Sequence, residues 1–583
     1  MKIKHYFGLA VIAAMTASCS SNEDLGTAGP GTGTNETGVG YATFSINLPT
    51  TSGTRADGDP TFDKGDDDEY KVNDATLLIF KKVKETDKEG DYTFVESAEL
   101  GSMAPWKDPS ETGVTTHAKI TAKLEKVKKT ENNFALVLLN NGTGSNAKVT
   151  VPTTEGMKFS VWNAAANATY DKFATTKNGF YMANAPLFNN KNVTTLVPIE
   201  SSKIYQTAEE AAKNPATDIY VERGLAKVTL KTGKAAGKTD DNYTVIGDTY
   251  QGDKVTISNW TLDVTNIKTF PIHNVDELGY EDIWKNEPEA SGPSTQRFVD
   301  NNELTKAKRV YWGKDPNYDK DDLRTTDEAG KTAREADFKY VKNAEVTADP
   351  AKSLYCLENT FNLANMVQGQ TTRVIFKASY TPKDFTAEDG KTFYKIGKNT
   401  AIWNEKNLVK EIKAAVASVV TGATIDNTTV NLNAEGNKIT EAGTHYVKAA
   451  NITVKISETE KATISDANIT AINTQLGLKE TDKVGISTYA GGESYYIARI
   501  KHFGDELTPW SSGGYGSDNL SFLGRYGVLR NNWYELTVQS VSGPGYPSVP
   551  DVKPNTPDDE DDKYINVSVK ILSWAKRSQK VDL

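Results

Sequence analysis

Short segments of β-forming residues, bounded by turn residues, recur along most of this chain and constrain its fold more than any other feature. One reads FALVLL over residues 134–139 and runs directly into the turn Asn140-Asn141-Gly142. Another reads KVTISNWTLDV over residues 254–264. Strand, turn and strand at this spacing, rich in Thr, Val, Tyr and Asn, are typical of antiparallel sheets packed face to face. The sequence therefore predicts a mainly all-β protein made of antiparallel β-sandwiches.

Three stretches depart from this pattern and predict short helices. They are TAEEAAKN at residues 207–214, NLVKEIKAAVASVV at residues 407–420, and a weaker segment at residues 465–476. The middle one repeats its apolar residues at helical spacing, which places four of them on one side: Leu408, Ile412, Val416 and Val419. We expect that side to face a core. Residues 400–480 as a whole fit the strand pattern least well.

The composition excludes several function classes. Over 583 residues the formal net charge is −10, with no large basic stretch, so we expect no nucleic acid as a partner. The chain has two cysteines, Cys19 and Cys356, which rules out a disulfide framework. Its five histidines are scattered, without an HExxH or Cys-x-x-Cys motif, so the sequence predicts no transition-metal site. No paired carboxylates flanked by clustered Trp are evident, and we expect no cofactor and no enzyme activity. Cys356 lies among apolar and aromatic residues, which favours a buried thiol over a nucleophile.

The N-terminus has the pattern of an export signal. Lys2 and Lys4 precede a short apolar stretch at residues 7–15, which is followed by MTASC and ends at Cys19. Small residues directly before a cysteine at this position resemble a bacterial lipoprotein signal, in which the cysteine is lipidated. An ordinary secretory signal with an incidental cysteine is the alternative. We expect residues 1–19 to be the signal peptide and the mature body to lie outside the cytoplasm.

Two strand patterns near the ends of the chain match each other. YATFSINLP, within residues 41–49, alternates four apolar residues with polar ones, and these are Ala42, Phe44, Ile46 and Leu48. Residues 564–583 repeat the pattern with Ile565, Val567, Val569 and Ile571, followed by Leu572 and Trp574. A Pro-rich, acidic arm over residues 541–563 precedes the second strand, and we expect it to be extended and solvated. A strand at the end of such an arm is predicted to pair outside its own domain.

A lone arginine follows the first of these strands. Arg55 is the first arginine of the chain and the only one before Arg223, and small or flexible residues flank it, with Ala56 directly after it. Such a site suits a protease. We predict cleavage between Arg55 and Ala56, which would remove a propeptide over residues 20–55 and free the position of its strand for a strand of another molecule.

Three other features leave alternatives open. The acidic run at residues 66–69 and the segment DPNYDKDD at residues 315–322 offer oxygen ligands for calcium. The second lacks the glycine and the closing glutamate of a calcium loop, so we expect solvated surface acids in both. Trp510, Tyr515 and Trp533 could form a sugar-binding platform, although aromatic residues in a sandwich are more often buried.

Several motifs together resemble the fimbrillins of Bacteroidales-type (type V) pili, closest to the Mfa-like major subunits. The resemblance covers most of the chain, in the same order. It is carried by MTASCSSNED, YATFSINLP with Thr54-Arg55-Ala56 after it, IYVERGLAKV, YCLENTF, RVIFKASYTP, ESYYIARIKHF, VLRNNWYELTVQSV, and the Pro-rich arm leading into SVKILSWAKRSQKVDL.

The resemblance implies two transthyretin-like β-sandwich domains, which we place at residues 56–225 and 226–540. It further implies export as an outer-membrane lipoprotein through Cys19, cleavage after Arg55 by an arginine-specific protease, and assembly into a surface fimbria. The donor strand would be residues 564–583, and the partners would be other copies of the chain, head to tail, and accessory fimbrial subunits. A shaft subunit is the leading interpretation. The alternatives are a tip or accessory adhesin and, from another class, a glycan-binding surface lipoprotein.

Overall fold

The computed structural model describes most of the chain between residues 40 and 578. The described residues are 40–49, 67–102, 114–165, 168–174, 179–189, 192–231, 242–275, 308–310, 312–503, 508, 522–559, 565–572 and 577–578.

Strands dominate these residues, as the strand pattern predicts. In the first part of the chain they are β1 (Gly40–Pro49), β2 (Asp74–Lys82), β3 (Thr93–Ser102), β4 (Val114–Leu124), β5 (Asn132–Leu139), β6 (Ala168–Thr169), β7 (Met182–Asn184), β8 (Leu187–Asn189), β9 (Asn192–Thr194), β10 (Val197–Pro198), β11 (Thr217–Arg223) and β12 (Ala226–Leu230). Four short helices accompany them: α1 (Asp67–Tyr70), α2 (Phe159–Ala165), α3 (Tyr170–Phe173) and α4 (Ala208–Lys213).

The remaining strands follow in the second part of the chain. They are β13 (Asn242–Thr244), β14 (Lys254–Asp263), β15 (Thr265–Asn266), β16 (Lys268–Thr269), β17 (Lys308–Arg309), β18 (Phe338–Lys339), β19 (Leu354–Cys356), β20 (Arg373–Thr381), β21 (Phe393–Ile396), β22 (Thr428–Val430), β23 (Asn433–Ala434), β24 (Asn437–Lys438), β25 (Gly443–His445), β26 (Ile452–Val454), β27 (Ile486–Tyr489), β28 (Glu493–Arg499), β29 (Trp533–Val541), β30 (Ile565–Leu572) and β31 (Arg577–Ser578). The helices here are α5 (Glu328–Asp337), α6 (Glu405–Val419) and α7 (Asp466–Gln475).

The first sandwich is built from one sheet that folds over on itself. Its strand order is β3-β2-β5-β7-β11-β1-β4, with β10 added beside β5. The outer strands β3 and β4 approach each other, and the Glu96 carboxylate of β3 accepts hydrogen bonds from the amides of Glu125 and Lys126, just after β4. The folded sheet encloses an apolar core with members from β1, β2, β3, β4, β5, β7 and β11.

The second sandwich is formed by two sheets. One has the order β19-β12-β29-β30-β31 and the other has the order β13-β14-β20-β28. Alternate residues of both sheets meet in a single core, with Val228 and Leu536 from the first sheet and Trp260 and Phe376 from the second. This two-layer packing is the β-sandwich architecture that the strand pattern predicts.

The segment DIYVERGLAKVTL at residues 218–230 has the residue pattern of a single strand, but it forms two strands in different sheets. β11 ends at Arg223 in the first sandwich and β12 begins at Ala226 in the second. The chain passes between them at Gly224, where a Cβ atom would come within 2.6 Å of the Phe173 ring. A glycine is required at that close approach, so the segment both closes the first sandwich and opens the second.

Two of the expected helices and a third, weaker one are confirmed. α4 and α7 lie within the stretches predicted to be helical, and α6 begins two residues before its predicted stretch. Leu408, Ile412 and Val416 of α6 are buried in a separate core formed by residues 394–486. This core belongs to an insertion between β20 and β28, which explains why residues 400–480 depart from the strand pattern. Within the described residues, no helix has the length and apolar character needed to span a bilayer.

Candidate functional site: the two terminal strands

β1 lies inside its sheet rather than at an edge. It pairs antiparallel with β4, from Gly40 opposite Leu124 to Pro49 opposite Val114, and it pairs in parallel with β11 over four residues beginning at Phe44. Both of its edges are therefore hydrogen-bonded to neighbouring strands. The segment before the predicted cleavage site is an integral part of the first sandwich.

The apolar face of β1 fills the first core. Ala42, Phe44 and Ile46 are 0% exposed and Leu48 is 1% exposed. At roughly 1.5–3 kcal/mol for each large side chain, burial of Phe44, Ile46 and Leu48 contributes about 5–9 kcal/mol before entropy is counted. The four residues thus face the core together, and their role as a removable strand stays a prediction.

The polar face of β1 is also covered. Thr43, Ser45 and Asn47 are buried, and the Thr43 hydroxyl lies 2.6 Å from that of Thr121 on β4. Helix α4 packs against both β1 and β4 on this part of the sheet. β1 is therefore enclosed on its two edges and its two faces.

Loss of β1 would leave a slot between β4 and β11. Each of those strands would expose a row of unpaired backbone groups, and the core would lose four neighbouring apolar side chains. Such an edge is a template for pairing with another strand. The predicted lipidation site Cys19 and the predicted cleavage site at Arg55 and Ala56 lie outside the described residues.

β30 occupies a different position in the second sandwich. It pairs antiparallel with β29, from Trp533 opposite Leu572 to Val541 opposite Ile565, with an irregularity between Val538 and Ser540. On its other side the structure describes only the two-residue strand β31, which pairs with Lys570 and Ile571. Val567 packs against the second core. Trp574 lies outside the described residues.

We expected the last strand to pair outside its own domain, but in the single chain it pairs with β29 of that domain. Its exchange into another copy stays a prediction. In the single chain, β30 extends the sheet of its own second sandwich. The edge of β29 supplies backbone groups that β30 satisfies, and the alternation of Ile565, Val567, Val569 and Ile571 suits a strand with one buried face. A role as a donor for another copy therefore requires that β30 leave β29 or never settle there.

The described part of the Pro-rich arm packs against the second sandwich, whereas the sequence predicts an extended, solvated arm. Its backbone at Tyr546 exchanges two hydrogen bonds with Tyr495 of β28, and the hydroxyls of Tyr489 and Tyr496 donate to the carbonyls of Gly545 and Gly543. Residues of the arm up to Asp559 therefore lie against the second sandwich. Proline removes backbone donors, and tyrosine hydroxyls supply donors to the carbonyls that remain.

Two of the acidic residues that we expected on the surface, Glu69 and Asp315, are buried, whereas Asp68, Asp319, Asp321 and Asp322 are exposed as expected. Glu69 forms a 2.7 Å ion pair with Lys227 of β12. Asp315 accepts hydrogen bonds from the side chain of Asn266 and the amides of Thr360 and Asn317. Burial raises the pKa of Asp315 to about 7, although these hydrogen bonds oppose that shift. Among the described residues, no group of three or more His, Cys, Asp or Glu side chains is arranged to hold a metal ion.

Two further candidates are packed into the interior. Trp533 is buried, with the ammonium group of Lys227 4.1 Å from the centre of its ring and its indole donating to Thr229. It offers no sugar-binding face, and Trp510 and Tyr515 lie outside the described residues. Cys356 is a buried free thiol, as expected, and burial raises its pKa to about 12. Its thiolate form is therefore suppressed, which agrees with a packing role.

Comparisons with solved structures give distant similarities. A protein provisionally described as a cell adhesion protein from Parabacteroides distasonis ATCC 8503 is 10% identical, with 92% of this chain and 99% of that chain covered and a TM-score of 0.36. A second protein of the same description and organism is 11% identical, with 92% of this chain and 99% of that chain covered and a TM-score of 0.32. A fimbrial assembly protein of that organism is 10% identical, with 62% of this chain and 93% of that chain covered and a TM-score of 0.26. Scores this low do not establish a common fold.

A family model gives the informative match. No curated protein matches the sequence significantly. Residues 487–580, however, match the C-terminal model of fimbrillin, described as major fimbrial subunit protein type IV. The matched range contains β28, β29 and β30 with the arm between them. The C-terminal part of this chain is therefore similar to that of the fimbrillins, which are major fimbrial subunit proteins.

Proposed function

We propose that this chain is a structural subunit of a cell-surface fimbria that polymerises by strand exchange. It is exported as a lipoprotein through Cys19 and cleaved between Arg55 and Ala56, which releases β1. The slot between β4 and β11 then accepts the C-terminal strand of another copy. Because each subunit offers one strand and one slot at different sites, the contact repeats head to tail and generates a fibre.

The position of β1 carries this proposal. β1 lies in the middle of a sheet and contributes Phe44, Ile46 and Leu48 to the core. It also precedes a lone arginine site, so it is suited to fill the slot between β4 and β11 until the chain is cleaved. While it is in place, its apolar side chains fill their part of the core. Once it is removed, the groove has the dimensions of one strand with four apolar residues.

The C-terminal strand offers the matching pattern. Ile565, Val567, Val569 and Ile571 repeat at the spacing of the β1 residues that face the core. Burial of these four at ~1.5–3 kcal/mol each would contribute about 6–12 kcal/mol before costs. Ordering the strand and breaking its pairing with β29 reduce this gain. The excess over those costs would hold the fibre together.

A second candidate function follows from the pairing of β30 with β29 in one chain. A subunit whose last strand stays in its own sheet would receive a strand but donate none. Such a subunit would end a fibre, as a tip or accessory subunit does. The observation that favours it is the register between β29 and β30, which runs from Trp533–Leu572 to Val541–Ile565 with one irregularity between Val538 and Ser540.

Truncation after Lys563 separates the two functions. The truncated chain, cleaved at Arg55 in vitro, should retain its first sandwich, because β30 contributes nothing to that core. A shaft subunit so truncated should give no polymers by electron microscopy, while the full-length cleaved protein forms fibres. Polymers that persist without residues 564–583 would contradict strand donation. Full-length protein that only caps fibres of another subunit would support the tip function.

A further inference from the structure

Two aspartates of the arm are held by buried arginines of the second sandwich. The Nε atom of Arg499 at the end of β28 lies 3.0 Å from Oδ1 of Asp558, and their side chains are 3% and 0% exposed. The Thr371 hydroxyl donates to the other oxygen of Asp558 at 2.6 Å. An aspartate carboxylate buried to this degree is stable only when it is paired and hydrogen-bonded.

Asp559 is held in the same way by a second arginine. Nε and Nη2 of Arg525 donate to the two carboxylate oxygens at 3.0 and 2.7 Å, a bidentate contact. The Tyr526 hydroxyl adds a third hydrogen bond at 2.9 Å. The two neighbouring aspartates thus meet two arginines from separate parts of the chain. We call Arg499, Arg525, Asp558 and Asp559 the clasp.

Backbone contacts continue the attachment just before the clasp. The Gln368 amide donates to the Thr556 carbonyl at 2.9 Å, and Val367 forms an antiparallel bridge with Pro557. Earlier in the arm, Arg373 donates to the Pro550 carbonyl at 2.8 Å while it pairs with Asp263. β30 makes none of these contacts, so the arm is anchored independently of the last strand.

We infer that the clasp keeps the arm on its own subunit during assembly, so that only the chain beyond Asp559 is donated. This inference rests on the proposed strand exchange and adds to it the point at which the donated segment begins. Ile565 follows Asp559 by six residues, and a fully extended chain of that length spans roughly 20 Å. The slot of the accepting subunit must therefore open within that distance of the clasp. Arg499 and Arg525 act as positioning residues that fix the spacing between subunits.

A test on the monomer measures anchoring without polymerisation. In Asp558→Asn with Asp559→Asn, each arginine loses the negative charge of its aspartate while side-chain shape is kept. Hydrogen exchange of the Gln368 amide should accelerate by about tenfold or more, since it reports detachment of Thr556. Asp551→Asn is the matched control, because the Asp551 side chain is 92% exposed and its exposed partner Lys483 lies 3.7 Å away. Equal exchange in the double variant and the control would overturn the clasp.

A reversible staple tests whether the arm stays in place during assembly. Val367→Cys with Pro557→Cys joins arm and body at an antiparallel bridge, a geometry within reach of a disulfide. Oxidised protein should polymerise as well as reduced protein and give the same repeat along the fibre. In the double aspartate variant the repeat should become irregular, and the oxidised staple should restore it. If oxidation stops assembly that the reduced form supports, the arm must peel away and the inference fails.

The two proposals fail in distinguishable ways. Fibres that form without residues 564–583 contradict strand exchange and leave the monomer exchange result standing. Fast exchange only in the double aspartate variant supports the clasp, whatever the fibres show. If the monomer experiment contradicts the clasp, strand exchange still stands, but the donated segment then begins before Asp559.

Discussion

β1 and β30 have the same alternation of four apolar residues, but they occupy different positions in their sheets. β1 is paired on both edges and covered on both faces, whereas β30 is paired with β29 along its length and with only the short β31 on the other side, among the described residues. A central strand cannot leave without opening the core on two sides. An edge strand can leave after breaking one ladder. This difference explains why the first strand would need a protease and the last would not.

The comparison also shows what each strand protects. β1 covers an apolar slot that would otherwise attract other strands. β30 covers the edge of β29, which β12 pairs on the opposite side. In the uncleaved chain both potential assembly sites are thus occupied from within. Assembly would require that β1 leave its slot first. Only then could β30 of another copy gain free energy by leaving β29 and entering that slot.

The largest expected effect comes from blocking removal of β1. We predict that surface-recovered protein begins at Ala56 and carries no lipid, and that Arg55→Ala leaves a full-length, membrane-tethered monomer. Without cleavage the slot between β4 and β11 stays filled. N-terminal sequencing and electron microscopy of surface protein check both results. Thr54→Ala is the control, since it changes the neighbouring residue and keeps the arginine; normal fibres from Arg55→Ala would be contrary to the model.

Charges on the apolar face of the last strand should abolish assembly. Val567→Asp with Val569→Asp would place two carboxylates in the accepting slot, where they have no partner. The first sandwich of the cleaved monomer should unfold as before, while polymers disappear in electron micrographs. Val567→Ile with Val569→Ile changes the same two positions, keeps the face apolar and should retain assembly. Equal loss in both pairs would mean that any change at these positions, and not the buried charge, stops assembly.

Phe44→Asp should strongly destabilise the uncleaved precursor. The substitution buries an unpaired carboxylate at a position that is 0% exposed, and we expect a loss of several kcal/mol in the free energy of unfolding. Val567→Asp at the edge strand should cost less, because Val567 is only partly buried. Denaturant unfolding measures the loss in each variant. Phe44→Leu is the control, because it keeps an apolar side chain at the same position. Similar losses for the two aspartates would remove the distinction between central and edge strands.

The smallest effect concerns the polar face of β1. Thr43→Val removes the hydroxyl contact to Thr121 and should lower the stability of the precursor by about 1 kcal/mol. Thr43→Val with Thr121→Val should recover part of that loss, because neither hydroxyl is then left without its partner. Unfolding of the protein cleaved at Arg55 should not change with Thr43→Val, since β1 has gone. A change there would show that the propeptide strand remains bound.

The sequence predicts the local parts of this fold well. Strands, the helices α4, α6 and α7, and the burial of Cys356 follow from periodicity and residue type within short windows. The division between β11 and β12 was harder to predict, although Gly224 in the middle of a strand pattern is a signal for a close approach. Nothing local indicates that the two halves of that segment belong to different sheets.

Contacts between distant residues account for the rest. Asp558 and Asp559 begin an acidic run that reads as solvated, but their arginines lie in β28 and in the loop before β29. Glu69 likewise pairs with Lys227, far along the chain. A run of charged residues predicts exposure to solvent. It does not reveal that a residue far along the chain pairs with one of its members. For the same reason the alternation of β30 predicts a strand but not the edge that it joins.

Competitive disulfide trapping tests the central claim most directly. If the last strand takes the place of β1 in the same direction, Ser568 replaces Ser45, which lies opposite Lys119 of β4; within its own chain Ser568 lies opposite Thr537. In one sample, subunits with Ser568→Cys are mixed with subunits that carry Lys119→Cys. In a separate sample, Ser568→Cys and Thr537→Cys are combined in the same chain. After cleavage at Arg55, we predict a link between chains through position 119 and loss of the internal link to position 537. An internal link that persists in fibres, with no link to position 119, would contradict the account.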